Sequence, residues 1–262
     1  MKAIDQFRAK PSLKLRDKDA KADAKPDQDA LDKVLDDISD LQEMLYAERK
    51  RKLLIVLQGT DTSGKDGTVR HLFSSINPMG LHATGFRAPT EIEAAHDFLW
   101  RIHREVPKAG EIGVFNRSHY EDVLITRVVG MITPAECKRR YAQIRDFERM
   151  LAESGTTIVK FFLHISKDEQ RERLQARVDD PHKHWKFDPE DLKQRELWKD
   201  YQKAYSDAIT ATNADHAPWY VIPADSKRYR NEAVARVLLE TLRGMRLDWP
   251  PPDKRLHKLK VR

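Results

Sequence analysis

Leu53-Leu54-Ile55-Val56-Leu57 leads, one residue later, into Gly59-Thr60-Asp61-Thr62-Ser63-Gly64-Lys65-Asp66-Gly67. A run of consecutive apolar residues reads as a strand buried on both faces of a parallel sheet. The glycine-rich run carries the P-loop (Walker A) pattern G-x-x-x-x-G-K complete through Lys65, with Asp66 where the pattern has a magnesium-binding Ser or Thr. Gly59, Gly64 and Gly67 are expected to let the backbone turn tightly, so that its N–H groups, with Thr62, Ser63 and Thr68, meet phosphate oxygens. The helix that starts near Lys65 aims its positive end at the same anion, and Lys65 adds a mobile point charge. Strand, spacing and lysine together separate this loop from an ordinary Gly-rich turn. Asp61 and Asp66 separate it from an ordinary nucleoside-triphosphate site and point to unusual phosphoryl chemistry.

The rest of the chain supports one α/β domain. Its 262 residues can bury a sizeable core. Charged residues make up 34% and the mean hydropathy is −0.71, so much of the length lies on exposed helices. A net charge of +6 fits a polyanionic partner: nucleic acid, an anionic membrane, or a phosphate-rich substrate. The single cysteine, Cys137, excludes an internal disulfide and a Cys-based zinc site, and its charged surroundings suggest an exposed or half-buried thiol. Met1 to Lys25 has no apolar core of a signal peptide, and no apolar stretch approaches the about 18 residues that span a bilayer. Cytoplasm is the expected compartment.

Residues 1 to about 28 are rich in Lys, Asp and Ala and read as a flexible or peripherally docked arm. Leu31, Val34, Leu35, Ile38, Leu41 and Leu45 recur at helical spacing, and the domain extends from residue 29 to 247. Strands are expected at 52–58, 82–87, 112–115, 156–165 and 219–222. Helices are expected from Lys65 to Ser75, from Glu91 to Arg104 with Thr90 as cap, over 134–153, over 167–178, from Asp188 to Thr212, and from Arg230 to Met245. The basic tail 248–262, with Pro250, Pro251 and Pro252, reads as extended or mobile. This alternation calls for a P-loop kinase-like, doubly wound parallel sheet of about five strands, with helices on both faces and a helical lid over about 168–200.

Two further clusters carry chemistry. Phe115-Asn116-Arg117-Ser118-His119-Tyr120-Glu121-Asp122 ends a strand, where open α/β sheets place their sites. Arg117 can fork two hydrogen bonds onto a phosphate, or pair with Glu121 one helical turn on. Asp61 and Asp122, if both reach the cradle, can hold Mg²⁺ in place of the missing hydroxyl; the alternative for Glu121 and Asp122 is acidic enrichment of a first helical turn. His119 and Tyr120 read as packing residues. Arg173 and Arg177 share a helix face ahead of His182-Lys183-His184-Trp185-Lys186, either as lid arginines over a transferring phosphate or as a solvated basic face.

Three segments in order, GTDTSGKDGT at 59–68, VFNRSHYEDV at 114–123 and RVDDPHKHWKF at 177–187, resemble the polyphosphate kinase 2 family. The form FNRSHYED in a single domain is most similar to its class III subgroup. The resemblance implies Mg²⁺-dependent transfer (Mn²⁺ as substitute) of the terminal phosphate of inorganic polyphosphate to AMP or ADP, giving ADP and ATP reversibly. It makes Asp61 and Asp122 the metal carboxylates, Lys65 the P-loop lysine, and Arg117 and Arg173 catalytic. Polyphosphate is then expected along Arg70, Arg117, Arg177 and Lys183, and the nucleotide on Arg87, Asn116 and Glu121. A homodimer or tetramer, with no nucleic-acid or membrane partner, completes the expectation. The rivals are an ATP-dependent nucleoside monophosphate kinase of thymidylate-kinase type and a non-catalytic polyanion-binding protein. Asp66 weighs against the first, and Asp61 and Asp122, which repel phosphate without a metal, against the second.

Overall fold

The structure, a computed structural model, describes residues 1–22 and 27–260. Residues 23–26 of the expected arm and 261–262 of the expected tail lie outside the described residues. In chain order the elements that build the site are α1 (Ala3–Phe7), α2 (Gln28–Glu48), β1 (Lys52–Gln58), α3 (Lys65–Leu72), β2 (Leu81–Gly85), β3 (Ile112–Asn116), α4 (Pro134–Glu153), β4 (Thr156–His164), α5 (Lys167–Val178), α6 (Glu190–Glu196), α7 (Trp198–Thr212), β5 (Trp219–Pro223) and α8 (Lys227–Gly244).

The five strands pair in the order β2-β3-β1-β4-β5, all parallel. Alternation along the strands divides the core in two. Leu53, Ile55 and Leu57 join Val159, Phe161 and Leu163 beneath α2 and α8, whereas Leu54 and Val56 join Phe115, Ile158 and Phe162 beneath α4 and α7. Register decides where the loops emerge. Leu57 lies beside Asn116 and Gln58 beside Phe162, so Gly59 and Arg117 leave neighbouring strand ends side by side.

The first twenty residues dock on the domain, the second of the two forms expected for the arm. Ala3, Phe7, Ala9 and Ala20 are buried, Ala9 N donates to Trp219 O at 2.8 Å, and Arg8 bridges Tyr220 antiparallel. The segment covers the β5 edge, which would otherwise expose unpaired backbone groups. Two expected helices are interrupted. The one from Glu91 to Arg104 is two single turns, Glu91–Ala94 under a Thr90–Glu93 capping box and Trp100–His103, because the Asp97 carboxylate accepts from Leu99 N and draws the chain out of the helix. The one from Asp188 breaks at Leu197, between α6 and α7, where Trp198 Nε1 donates to Asp17 of the N-terminal segment. Cys137 is buried against Val123 O.

A buried ion pair crosses the core. Lys160 on β4 is fully buried and donates to Glu148 Oε2 at 2.5 Å, Tyr120 OH at 2.9 Å and Thr212 O at 2.9 Å. Tyr120 OH donates to Glu148 Oε1 at 2.8 Å, and His119 Nε2 lies 3.4 Å from the same oxygen. Burial lowers the Lys160 pKa, while that of Glu148 is lowered by Lys160 and His119 against its own burial. The network fastens the segment after β3 to α4 and α7. Glu148→Ala leaves the Lys160 ammonium buried and unpaired, so it is predicted to cost about 3–5 kcal/mol in urea unfolding. A loss below about 1 kcal/mol would contradict the pairing.

Candidate active site

The loop after β1 is held by close contacts that only glycine allows at two positions. Gly59 has φ +155°, and a Cβ there would stand 2.6 Å from Ser63 Oγ and 2.8 Å from Leu163 O. Gly64 has φ +100°, and its Cβ would meet the Arg230 guanidinium at 1.8 Å. Gly67 differs from the expectation: it is an ordinary helical residue of α3, and a Cβ would meet Arg230 at 3.6 Å. Lys65 is buried, and its Nζ donates to Gly59 O at 2.6 Å and Thr60 O at 3.3 Å, tying both strands of the loop. Burial lowers its pKa and the Asp61 carboxylate opposes the shift. The first-turn N–H groups of α3 have no acceptor within the helix, which leaves them for an anion. The Thr62 and Ser63 hydroxyls are buried without a hydrogen-bond partner. Thr68, expected on phosphate, turns its hydroxyl back onto Gly64 O at 3.1 Å.

Two arginines brace the loop from behind. Arg173, expected as the lid arginine, spends all five N–H donors on the protein. It donates to Glu169 Oε1 at 2.6 Å, Thr62 O at 2.9 Å, Ser63 O at 3.2 Å, Ala224 O at 2.7 Å and Asp225 O at 2.8 Å. Its side chain thus braces the loop, and it also lines the cleft in front of it. Arg230, on α8, donates to Ser63 O at 3.2 Å. Turning these carbonyls backward is what lets neighbouring N–H groups face forward.

At the end of β3, Arg117 adopts φ +64° and its backbone N donates to Leu57 O at 3.1 Å. Its guanidinium pairs with Asp61 Oδ1 at 2.9 Å, across the two strand ends and not with Glu121 along the chain. Glu121 is pushed toward protonation by burial, with Arg117 and Lys65 pulling the other way. Asn116 Nδ2 donates to Asp66 Oδ1 at 2.6 Å and Lys186 Nζ lies 3.8 Å from Asp66 Oδ2, so Asp66 links the helix start to β3 and the lid.

Asp122 is set beside two arginines. Its carboxylate lies 3.8 Å from Arg101 and 3.9 Å from Arg140, and burial raises its pKa. Among the described residues no three His, Cys, Asp or Glu side chains gather as a metal site. Asp61, whose Oδ1 is taken by Arg117, is a carboxylate at the cradle. A Mg²⁺ held by one carboxylate, substrate phosphates and water fits that donor set.

Two clefts meet at Arg87 and Arg117. The first, about 790 Å³, is lined by eight Lys or Arg, among them Lys65, Arg177, Lys183, Lys186 and Lys227, against four Asp. That excess suits a polyanion. The second, about 940 Å³, is more apolar, with Phe86, Phe98, Leu99 and Ile125 beside Arg101, Glu121 and Asp122. Arg70 is exposed on α3 and lies outside both linings. In the lid, Arg177 donates to Lys186 O at 3.0 Å and lies 3.5 Å from Asp191, and Lys183 pairs with Asp180 at 2.7 Å. Gln170 Nε2 donates to Asp61 O at 3.3 Å, and Asp191 is pushed up to about 7 by burial and by the Asp61 carboxylate. Arg230, Gln170 and Asp191 are absent from the expected site residues, and Lys186 is expected only as part of the basic cluster 182–186. The one available signal was for Arg230, a charge on the apolar stripe of Ala233, Val234, Val237 and Leu238.

Fold and cleft together define a kinase-type P-loop phosphotransferase. The profile of the family described as Polyphosphate kinase 2 (PPK2) matches residues 21–249, and the chain belongs to that family. An AMP/ADP-polyphosphate phosphotransferase of Meiothermus ruber is 53% identical over 221 residues, 84% of this chain and 83% of that one. An ADP-polyphosphate phosphotransferase of Rhodopseudomonas palustris is 44% identical over 239 residues, 86% and 83% of the two chains. The crystal structure of Polyphosphate Kinase 2 from Arthrobacter aurescens superposes with TM-score 0.91 at 45% identity, covering 97% of this chain and 93% of that one. No helix among the described residues is long and apolar enough to cross a membrane.

The two glycines of α3's start make a paired test. Gly64→Ala is predicted to lose about 2 kcal/mol or more in thermal unfolding, through strain and displacement of Arg230. Gly67→Ala should be neutral or stabilise by up to about 1 kcal/mol. Equal effects would contradict the geometry.

Proposed function

We propose that the protein transfers the terminal phosphoryl group of inorganic polyphosphate to AMP and ADP, in both directions. The observation that carries this reading is the junction of the two clefts. A strongly basic cleft built on the phosphate loop meets a more apolar one at Arg117, so a polyanionic donor and a nucleotide acceptor can approach one point from two sides. The names of the Meiothermus ruber and Rhodopseudomonas palustris relatives support the same substrates.

In this reading the acceptor oxygen of the nucleotide phosphate is already ionised at neutral pH, its second pKa being about 6, and needs no strong base. It attacks the terminal phosphorus of polyphosphate in line, a new P–O bond forms, and the bond to the bridging oxygen breaks with its electrons leaving on the shortened polyphosphate. The chain's task is to hold two anions together and spread their charge. Lys65 moves its ammonium from the loop carbonyls to a phosphate, while the first-turn N–H groups of α3 fix that phosphate. Arg117, held by Asp61, forks onto the transferring group. Arg177, Lys183 and Lys186 of the lid line the polyphosphate path, and Arg87 borders both substrates. Bound Mg²⁺, with Asp61 as its protein ligand, supplies neutralisation of the phosphate oxygens. Asp122 belongs with Arg101 and Arg140 in the nucleotide cleft.

The purified protein is predicted to form ADP from AMP, and ATP from ADP, with long-chain polyphosphate and Mg²⁺. Arg117→Ala and Asp61→Asn should each lower kcat about a hundredfold or more with little change in thermal stability. Phosphorylation of AMP that requires ATP and ignores polyphosphate would overturn the proposal in favour of an ordinary nucleotide kinase.

A further inference from the structure

Arg230 is buried, with 3% of its surface exposed, in the helix behind the phosphate loop. Its hydrogen bonds go to neutral oxygens: Ser63 O at 3.2 Å, and Asn231 Oδ1 at 3.1 Å from Nε and 2.8 Å from a terminal nitrogen. Among the described residues no carboxylate pairs with it within 4 Å, whereas the neighbouring Arg173 has Glu169.

Three surroundings oppose this charge. It is withdrawn from water, it lies beside the Arg173 guanidinium, and together these pull its pKa down to about 10. It also sits against Gly64 and Gly67, at the positive end of α3, where a cation is disfavoured. An uncompensated buried charge is costly. Ser63, whose carbonyl Arg230 holds, keeps a buried hydroxyl without a partner. Each of these features is relieved by an anion on the far side of the loop.

We propose that Arg230 is a positioning residue whose buried charge is completed by the phosphate bound in the loop, so that it strengthens phosphate binding at the expense of the ligand-free protein without touching the substrate. This rests on the reading of the loop as a phosphate cradle. It does not depend on which acceptor is phosphorylated.

The test measures tripolyphosphate affinity by calorimetry, and melting temperature with and without tripolyphosphate, on the full chain. Arg230→Gln keeps an amide donor for Ser63 O and removes the charge. It should weaken tripolyphosphate binding about tenfold, shrink the ligand-induced rise in melting temperature, and leave the ligand-free melting temperature at or above that of the wild type. Arg230→Lys keeps the charge and should bind within about threefold of the wild type. Unchanged affinity in Arg230→Gln overturns the proposal, as does an equal loss in both variants, which would make the role one of shape. A Gln variant that melts lower or fails to fold overturns it too, because the ligand-free protein must not need the charge. Wild-type protein that binds no tripolyphosphate removes its basis. Wild-type protein that binds tripolyphosphate but phosphorylates neither AMP nor ADP fails the functional reading alone.

Discussion

A loop that binds phosphate through its backbone must turn its N–H groups toward solvent and its carbonyls away, and something has to receive the carbonyls. Here that receiver is a pair of buried guanidiniums. Arg173 takes Thr62 O and Ser63 O, and Arg230 shares Ser63 O. The two come from α5 and α8, which follow β4 and β5, so the cradle depends on contacts from the far half of the sheet. Lys65 closes the front by bridging Gly59 O and Thr60 O. A ligand that takes the ammonium releases those carbonyls while the braces behind stay fixed. Rigidity at the back and one mobile charge at the front describe a site that is preorganised for an anion.

The sheet carries this constraint into function. Placing β1 between β3 and β4 sends the loop and the Arg117 segment out of adjacent strand ends, and the Arg117–Asp61 pair spans the gap. Below the sheet, Lys160 and Glu148 grip Tyr120 and His119, which fixes the backbone that presents Arg117 and Glu121. Basic residues gather above the loop and apolar residues on the other side of Arg117. In the proposed reaction each substrate therefore meets a surface of its own chemistry, with Arg87 and Arg117 common to both.

Much of this was legible where the determinant is local. The apolar run of β1, the glycine spacing and the strand end at Asn116 all depend on near neighbours, and the structure places them as their patterns require. Asp66 is the informative exception. As a departure from the P-loop pattern it was visible, yet its partners, Asn116 and Lys186, lie in other segments. Other residues acquire their roles only through distant chain. Arg173 shares a helix face with Arg177 as expected, but the carbonyls of Ala224 and Asp225 turn it into a brace. Asp122 has the sequence position of a metal ligand, but the arginines beside it, Arg101 at 3.8 Å and Arg140 at 3.9 Å, come from distant chain. Arg230 stands 167 residues from the carbonyl it supports and carries no motif. The N-terminal segment reads as polar because its buried contacts, Ala3, Phe7, Ala9 and Ala20, are thinly spaced among charges.

The central claim is that phosphate is received by the backbone of the 59–67 loop with Lys65, not by surface lysines of the lid. A crystal structure with tripolyphosphate and Mg²⁺ tests it most directly. The account predicts a phosphate group within hydrogen-bonding distance of the first N–H groups of α3, with Lys65 Nζ moved from Gly59 O onto a phosphate oxygen and the Arg173 and Arg230 contacts intact. Tripolyphosphate bound only on lid side chains, with Lys65 still on Gly59 O, would contradict it.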